Sequence, residues 1–353
     1  MILKYPPPPA EDISGSGEKG SNMFKTKRGK IIFLIVDLVL LILLAAAVFF
    51  AQTERAEVPD TQDDVDKYYS RFIEYDGQVY PVKRGLESIL LIGKDAMEGR
   101  RPVSDVEDLF YNDDLSDFLL LLAFDHNGKT VRPFQLNRDT MTDVPWLSVN
   151  GLVGGYTPLQ LEYAHIFGSG KEDSSKNVVT AVQGLLHGAP VDHYFTFSMD
   201  TVPIMNDLVG GVTVTLEDDI PTLGPEYIKG ATITLKGMDA LRFVRAREFE
   251  PVDANVPRMA HQRLYMNAFI LKARKKMDTD SEFVIRAYDQ IEKYLITDLT
   301  VENISQLIGN FYDYEVLPVV TPVGSYTVSD VGVSQFHADE ASLWDCVRTT
   351  FCA

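Results

Sequence analysis

The stretch SDFLLLLAFDHNGKTVRPFQLNRDT, residues 116–140, contains two apolar runs separated by a short polar segment. The runs are FLLLLAF at 118–124 and VRPFQL at 131–136, and Asn127-Gly128 lies between them. Asn-Gly between two apolar runs is a strong indication of a β-hairpin. The stretch therefore predicts two antiparallel strands joined by a tight turn.

The predicted turn also sets a register. In a two-residue hairpin with this turn, His126 pairs with Lys129, so paired residue numbers add to 255. Extending the ladder places Asp117 opposite Arg138, unless a bulge intervenes, and directly paired side chains share one face of a sheet. Asp95 ends the apolar strand SILLI and reaches the same rim if that strand neighbours the hairpin. Taken alone, the pair is most simply interpreted as an edge salt bridge.

The rest of the chain mixes strands and helices. FIEYDGQVYPV is typical of a hairpin around Asp76-Gly77. The pattern indicates an α/β fold, a layered α-β-α domain on a mixed β-sheet, and residues 70–353 can form it as one domain. Further strands are expected at 193–197 and 212–216, and helices near 177–186 and at 199–209, 237–244, 258–277 and 281–294.

An apolar run at 31–51 predicts a transmembrane helix. Its 21 residues carry one charge, and as a helix they extend about 31 Å, close to the thickness of a bilayer core. A cleaved signal peptide is the weaker alternative, because 30 residues precede the run. Lys and Arg precede it and Glu follows it, which predicts a cytoplasmic N-terminus. We therefore expect a single-pass protein of the cell membrane, with a disordered cytoplasmic tail at 1–30, an extracellular stalk at 52–69 and an extracellular domain at 70–353.

The charge is unevenly distributed along the chain. There are 33 Lys/Arg and 51 Asp/Glu, a net charge of −18. Residues 1–30 hold six of the bases and three of the acids, so residues 31–353 hold 27 bases and 48 acids, a charge of −21. Such a body disfavours nucleic acid as a partner. An anionic ligand must therefore meet a local cluster of arginines.

Two segments could supply such a cluster. LRFVRAR contains Arg245 and Arg247, which lie on one side if the chain is extended there. Arg258 and Gln262 are four residues apart and share one face of a helix. Several arginines near two aspartates fit a phosphate group held by guanidinium forks. The two carboxylates could also hold Mg²⁺ together with phosphate oxygens.

The cysteines of this chain give little indication of its function. Cys346 and Cys352 are the only cysteines, and the chain contains no CxxC or HExxH motif, so a zinc site is not expected. An extracellular disulfide is permitted. A six-residue helical spacing, however, separates the Cα atoms by about 9 Å, beyond the about 7 Å that a disulfide spans, which favours free thiols.

A series of motifs carries a resemblance to a known family. They are LLIGKD at 90–95, SDFLLLLAFD at 116–125, QLNRDT at 135–140, LVGGVTV at 208–214, LKGMDALRFVRAR at 235–247 and RMAHQ at 258–262. On these residues the chain resembles the LytR-CpsA-Psr family of membrane-anchored cell-wall glycopolymer ligases, over roughly residues 88–275.

The resemblance implies a phosphotransferase assisted by Mg²⁺ or Mn²⁺. Its partners would be a glycopolymer on a polyprenyl-pyrophosphate carrier and a peptidoglycan hydroxyl as acceptor, at the outer face of a bacterial membrane. Asp95 and Asp117 are implied as metal ligands, and Asp117 and Arg138 as catalytic residues. The residues implied in binding the pyrophosphate are Arg138, Gln160, Arg245, Arg247, Arg258 and Gln262. The lipid tail would need an apolar channel, for which FLLLLAF, HYFTF and the helix at 199–209 supply candidates.

Four positions depart from the family pattern. The family usually has Pro where Asn137 stands and often Thr where Phe118 stands. Gln160 and His261 replace a Lys and an Arg, so each loses a cation. These losses favour one alternative, a non-catalytic protein that binds the lipid-linked glycan or regulates its use. A hydrolase that cleaves the same pyrophosphate with water is a further alternative.

Overall fold

The computed structural model describes most of the chain from residue 71 onward. The predicted tail, transmembrane helix and stalk lie outside the described residues, as does most of the polar segment at 96–115. Among the described residues, no helix is both long and apolar enough to cross a membrane. The described residues are 71–95, 112, 114–148, 151–247, 253, 255–280, 282–300, 303 and 314–353.

A six-stranded sheet lies at the centre of this region. In spatial order its strands are β11 (Leu295–Thr297), β8 (His193–Ser198), β3 (Leu86–Lys94), β4 (Ser116–Asp125), β5 (Thr130–Leu136) and β12 (Glu315–Val316). The pairs β3–β8 and β5–β12 are parallel, and the other three neighbouring pairs are antiparallel. The prediction of a mixed sheet is therefore confirmed.

Smaller elements surround the sheet. Four two-stranded pairs are β1 (Phe72–Tyr75) with β2 (Gln78–Pro81), β6 (Met141–Leu147) with β7 (Val153–Gln160), β9 (Val212–Thr215) with β10 (Thr232–Leu235), and β13 (Gly324–Val328) with β14 (Ser334–Ala338). The helices are α1 (Glu172–Leu185), α2 (Thr201–Leu208), α3 (Met238–Arg245), α4 (Asn255–Met277), α5 (Phe283–Ile291) and α6 (Glu340–Phe351), with 3₁₀ turns at Leu161–His165 and Glu292–Tyr294. The five helices predicted between residues 177 and 294 are all present, although α1 begins at Glu172 rather than near residue 177.

Helices cover both faces of the sheet, which makes three layers. Along β4 every residue up to Phe124 is buried, as expected for a strand covered on both sides. Phe118 and Leu120 face a core shared with α2, α3, α4 and α5, whereas Leu119 and Leu121 face a core shared with α1 and α6. This alternation confirms the predicted α-β-α layering.

The two predicted hairpin turns differ in outcome. Asp76-Gly77 has positive φ at both residues, 50° and 70°, as a two-residue type I′ turn requires. The Asn-Gly prediction is wrong in detail, because the ladder ends at the pair Asp125–Thr130 and the positive φ falls at Lys129. The Asp125 carboxylate accepts a hydrogen bond from the Gly128 amide (2.8 Å), which stabilises this wider loop. The loop keeps the predicted centre, so paired residue numbers still add to 255.

Candidate functional site

Several predicted site residues lie at one rim of the sheet. β3, β5 and β8 end at this rim, and β4 begins there. Asp95 follows β3, Asp117 is the second residue of β4, and Arg138 lies two residues after β5. β3 pairs directly with β4, which confirms the condition on which the placement of Asp95 depended. Strand order therefore brings side chains that are distant in sequence to one edge.

Asp117 occupies an irregular position in β4. Gly93 pairs with Phe118 and Lys94 with Ser116, so Asp117 is the extra residue of a β-bulge. Bulges redirect a side chain and are frequent beside active sites. The bulge affects the pairing of β4 with β3, whereas the β4–β5 ladder is regular from Asp125–Thr130 to Leu119–Leu136. The predicted contact of Asp117 with Arg138, which follows β5, is therefore still possible.

Arg138 is the centre of a buried charge cluster, defined here as Asp117, Arg138, Asp139, Glu162 and Arg258. Its Nη1 forms an ion pair with Asp117 and lies 2.6 Å from Glu162 Oε2. Its Nε lies 3.3 Å from Asp139 Oδ1. No member of the cluster is more than 8% exposed. The contact between Asp117 and Arg138 that the hairpin register predicted is present, although the ladder of paired residues ends earlier, at Leu119–Leu136.

The turn after β5 holds Arg138 in place. Asn137 Oδ1 accepts hydrogen bonds from the Asp139 amide (3.0 Å) and from Asn255 Nδ2 (2.6 Å). Asn137 Nδ2 donates to the Tyr326 hydroxyl at 2.6 Å. Asn137 therefore joins the end of β5 to the start of α4 and to β13. A residue that departs from the family pattern thus orders three segments around Arg138.

Helix α4 supplies the second buried arginine. Arg258 Nη1 lies 3.7 Å from Asp117 Oδ1, and its Nη2 donates to the Asp117 carbonyl at 3.4 Å. Gln262, one turn further along α4, is also buried, and its Nε2 donates to the Val244 carbonyl at 3.3 Å. The prediction that Arg258 and Gln262 share one helix face is confirmed.

Arg245 and Asp95 form a second, more exposed ion pair. Arg245 is the last residue of α3, and its Nη2 lies 2.8 Å from Asp95 Oδ1. Arg247 follows after one extended residue and is exposed. Burial raises the pKa of Asp139, while the charges of the surrounding arginines, Arg247 among them, oppose that rise. The exposed arginine is therefore close enough to act on the buried charge cluster.

The buried charge cluster contains two cations and three carboxylates, and its charge changes near neutral pH. Burial raises the pKa of Glu162 to about 7, despite the attraction of Arg138. Burial lowers the pKa of Arg258 to about 10, which leaves this guanidinium charged at pH 7. Burial also opposes the charge of Arg138, but Asp117 and the other carboxylates outweigh it and raise its pKa. Glu162 therefore gains or loses a proton around pH 7.

Gln160 and His261, which are close in sequence to Glu162 and Arg258, contact residues outside the buried charge cluster. Gln160 ends β7, and its Nε2 donates to the Ser334 carbonyl at 3.2 Å. The His261 ring packs against Phe243, with ring centroids 5.4 Å apart. Burial lowers the pKa of His261, so the ring is neutral at pH 7. Neither residue supplies the cation that the family usually has at its position.

An apolar cavity of about 70 Å³ adjoins the charged residues. Three of its lining residues are close in sequence to charged residues: Phe118 follows Asp117, Val244 precedes Arg245, and Gln262 lies one turn after Arg258. FLLLLAF and HYFTF each contribute a phenylalanine to the lining. The lining residues are Phe118, Phe197, Met199, Val202, Val244, Gln262, Tyr265 and Met266.

The two rim aspartates match the oxygen ligands that Mg²⁺ prefers. Within the part of the chain that the structure describes, no three His, Cys, Asp or Glu side chains are grouped to hold a metal ion. Mg²⁺ is commonly bound by one or two carboxylates plus phosphate oxygens. Asp95 and Asp117 therefore fit an ion that binds together with a phosphate-containing ligand. Such an ion would compete with Arg245 and Arg138, which pair with these carboxylates.

Sequence reasoning missed three residues of this region. Glu162 is a single carboxylate in the apolar stretch LQLEYAHIF, and that isolation was a usable signal of a buried charge. Asn255 and Tyr326 reach Asn137 through tertiary contacts, and no local pattern indicates them. The candidate site therefore includes residues that lie outside the sequence motifs.

A known protein family matches this chain over most of its length. The LytR-CpsA-Psr family model matches residues 48–343, and the chain belongs to this family. The resemblance carried by the motifs is therefore confirmed.

The match with this chain covers a different share of each relative's length. The polyisoprenyl-teichoic acid–peptidoglycan teichoic acid transferase TagU of Bacillus licheniformis is 22% identical over 324 residues, 91% of this chain and 95% of that protein. The cell wall biosynthesis protein LcpA of Corynebacterium glutamicum is 24% identical over 287 residues, 72% of this chain and 55% of that protein. The crystal structure of Bacillus subtilis TagT has the same fold, with a TM-score of 0.54 and 21% identity, over 79% of this chain and 93% of that one.

Proposed function

We propose that the chain is a phosphotransferase that moves a glycopolymer from a polyprenyl-pyrophosphate carrier to a hydroxyl of peptidoglycan. In this proposal residues 31–51 anchor it in a bacterial cell membrane, with residues 1–30 in the cytoplasm and residues 70–353 outside. Family membership supports the proposal, and so do the names of its relatives, which are a teichoic acid transferase and a cell wall biosynthesis protein.

One observation carries the proposal: the buried charge cluster adjoins an apolar cavity. Phe118 and Gln262 line the cavity, and each is a near neighbour in sequence of a charged member, Asp117 or Arg258. A polyprenyl pyrophosphate has the matching chemistry, an anionic head joined to an apolar tail. The domain as a whole is acidic, so local arginines are what would attract the head.

The arginines would bind the pyrophosphate. Guanidinium groups bind phosphate oxygens in bidentate pairs, and here Arg138, Arg245 and Arg258 would exchange part of their carboxylate pairing for the ligand. Arg247, which is exposed, would approach from the solvent side. Gln262 would add an amide donor. Phosphoryl transfer depends mainly on such positioning and charge neutralisation.

Asp95 and Asp117 would hold Mg²⁺ or Mn²⁺, which when bound neutralises charge on the pyrophosphate oxygens. In the transfer, the acceptor hydroxyl oxygen bonds to the phosphorus that carries the sugar. The bond from that phosphorus to the bridging oxygen breaks, and polyprenyl phosphate leaves with the electron pair. Asp117 would receive the hydroxyl proton, and Arg138 would hold Asp117 in position through their ion pair.

A binding protein without turnover is the second candidate, and two observations favour it. The Gln160 amide is directed to the Ser334 carbonyl, and the His261 ring is neutral and packed against Phe243. Both positions therefore lack the positive charge that would help to neutralise a pyrophosphate during transfer.

A transfer assay separates the candidates. The full chain in detergent is mixed with Mg²⁺, a polyprenyl-pyrophosphate oligosaccharide and peptidoglycan fragments, and sugar on the acceptor is followed by mass spectrometry. Transfer should be lost with a chelator and in Arg138→Ala. It should persist in the control Arg242→Ala, because Arg242 is an exposed arginine of α3 paired with Asp239 on the same helix. Lipid bound without transfer would favour the binding protein, and oligosaccharide phosphate released into water would indicate a hydrolase.

A further inference from the structure

The β6–β7 hairpin, called the arm here, begins and ends at the candidate site. β6 starts three residues after Arg138, and β7 ends two residues before Glu162. The Leu161 amide donates to the Thr140 carbonyl at 2.8 Å and closes the base of the arm. Both ends of the arm are therefore attached at the candidate site. Exposed apolar side chains near its tip are Trp146, Leu152, Val153 and Tyr156.

Trp146 lies across two glycines of the facing strand. Trp146 pairs with Gly155 and Leu147 with Val153, so Gly154 is the extra residue of a β-bulge. A Cβ at Gly155 would lie 2.9 Å from Trp146 Cζ2, and one at Gly154 would come closer still to the six-membered ring. Neither glycine has a positive φ. Their lack of side chains is therefore explained by the space that the indole occupies, and not by backbone conformation.

The indole keeps an open surface on a hairpin that carries a single charge. Trp146 remains 38% exposed. Residues 141–160 contain one charged side chain, Asp143, and no cation. An aromatic ring offers a broad apolar face, which matches the C–H face of a pyranose ring. The arm itself therefore offers a polyanion one carboxylate and no lysine or arginine. Helix α1 packs against β6, where Asn177 Nδ2 donates to the Pro145 carbonyl at 2.8 Å, and the lysine beside it, Lys176, is already paired with Glu172 on the same helix at 3.2 Å.

We propose that Trp146, seated on Gly154 and Gly155, is a stacking platform for a pyranose ring of the donor's glycan, and that this glycan is uncharged. The inference rests on the proposed function, because the sugar on Trp146 belongs to the donor only if the donor's pyrophosphate binds at the rim. Five residues of β7 separate Gly155 from Gln160, about 17 Å at 3.4 Å per residue. The ring on Trp146 therefore belongs to a sugar some way along the chain, not to the sugar bonded to phosphate.

Tryptophan fluorescence tests the platform directly. The chain contains two tryptophans, and Trp344 is stacked on Tyr75 with ring centroids 4.1 Å apart, so Trp344→Phe leaves Trp146 as the reporter. The full chain with this change is titrated in detergent with neutral hexasaccharides of glucose, galactose, mannose and rhamnose. A polyol-phosphate oligomer and peptidoglycan fragments serve as separate arms.

The expected result is a saturable change in Trp146 fluorescence with at least one neutral hexasaccharide and none with the other two probes. No change with any neutral hexasaccharide overturns the proposal. Saturation by the polyol phosphate overturns the uncharged glycan, and saturation by peptidoglycan fragments assigns the platform to the acceptor. Quenching of Trp146 by vesicles of brominated phosphatidylcholine would assign the surface to a membrane, which also overturns the proposal.

Two substitutions separate stacking from general apolar contact. Trp146→Leu keeps an apolar side chain without a ring, and calorimetry should show about tenfold weaker binding of the neutral hexasaccharide, the loss expected for one aromatic anchor. Trp146→Tyr keeps the aromatic face and should bind nearly as well as the unsubstituted chain. Equal binding by the leucine variant would contradict stacking. Polyprenyl pyrophosphate without glycan should bind equally to all three proteins, whereas its failure to bind the unsubstituted chain would refute the proposed function instead.

Discussion

Replacing Glu162 with glutamine should stabilise the folded chain above neutral pH. Burial raises the pKa of Glu162 to about 7, from 4.5 for an ordinary glutamate. Between these two values the folded state holds a proton that the unfolded state has released, so the free energy of unfolding falls as pH rises. At 1.36 kcal/mol per pH unit, the loss reaches about 3 kcal/mol by pH 7 and stays constant above it. Glutamine has no charge to bury and avoids this loss.

The measurement is thermal unfolding of the full chain in detergent, followed by near-ultraviolet circular dichroism from pH 5 to pH 8.5. At about 2–4 °C per kcal/mol, Glu162→Gln should unfold about 6–12 °C above the unsubstituted chain at pH 8, and at nearly the same temperature at pH 5. Glu172→Gln is the matched control, because Glu172 is an exposed glutamate of α1. A difference that does not vary with pH would refute the reasoning. A less stable Glu162→Gln at pH 8 would show that the ion pair with Arg138 outweighs burial.

Three other substitutions or treatments test separate parts of the structure. Arg245→Ala should weaken polyprenyl-pyrophosphate binding at least about tenfold in calorimetry, at unchanged unfolding temperature, whereas the exposed control Arg242→Ala should bind normally; equal affinity of the two variants would remove Arg245 from the site. Gly93→Ala should cost about 1–3 kcal/mol of stability, because its Cβ would lie 2.9 Å and 3.2 Å from two phenylalanine side chains, and an unchanged unfolding temperature would contradict this. Cys346 and Cys352 are free and buried, so a thiol reagent should label both in the unreduced, denatured chain and neither quickly in the native chain. Unlabelled cysteines after denaturation would reveal a disulfide.

The central hairpin shows how far the sequence determines the fold. Asn127-Gly128 predicted the correct register through an incorrect turn, because the ladder depends on where the loop is centred and a four-residue loop keeps the same centre. The apolar runs on either side allow one alignment that buries both, so a one-residue slip would be costly. Asp117 and Arg138 were predicted together for this reason, although the bulge that redirects Asp117 has no local sequence signal.

Other parts of the site depend on contacts that no local pattern encodes. The sequence identifies Asn137 only as a departure from the family pattern. Its hydrogen bonds to Asn255 and Tyr326, which join segments more than 100 residues apart in sequence, become known only from the structure. The arm was not predicted either. Its strands contain Pro145 and two adjacent glycines, which are unfavourable in strands, and the bulge that explains the glycines becomes visible only once Trp146 is placed on them.

The electrostatics of the buried charge cluster connect these observations to function. When Glu162 is ionised, the buried charge cluster has three carboxylates and two guanidinium groups. Gln160 and the neutral His261, which are close in sequence to Glu162 and Arg258, add no positive charge. This net negative charge would repel an anionic head group that entered the cluster, unless a metal ion accompanied the head group or Glu162 held a proton. Burial gives Glu162 a pKa at which that proton is available near neutrality. The pH dependence of Glu162→Gln therefore measures a property on which the proposed binding of pyrophosphate would also depend, because the same proton affects both the stability of the fold and the net charge of the cluster.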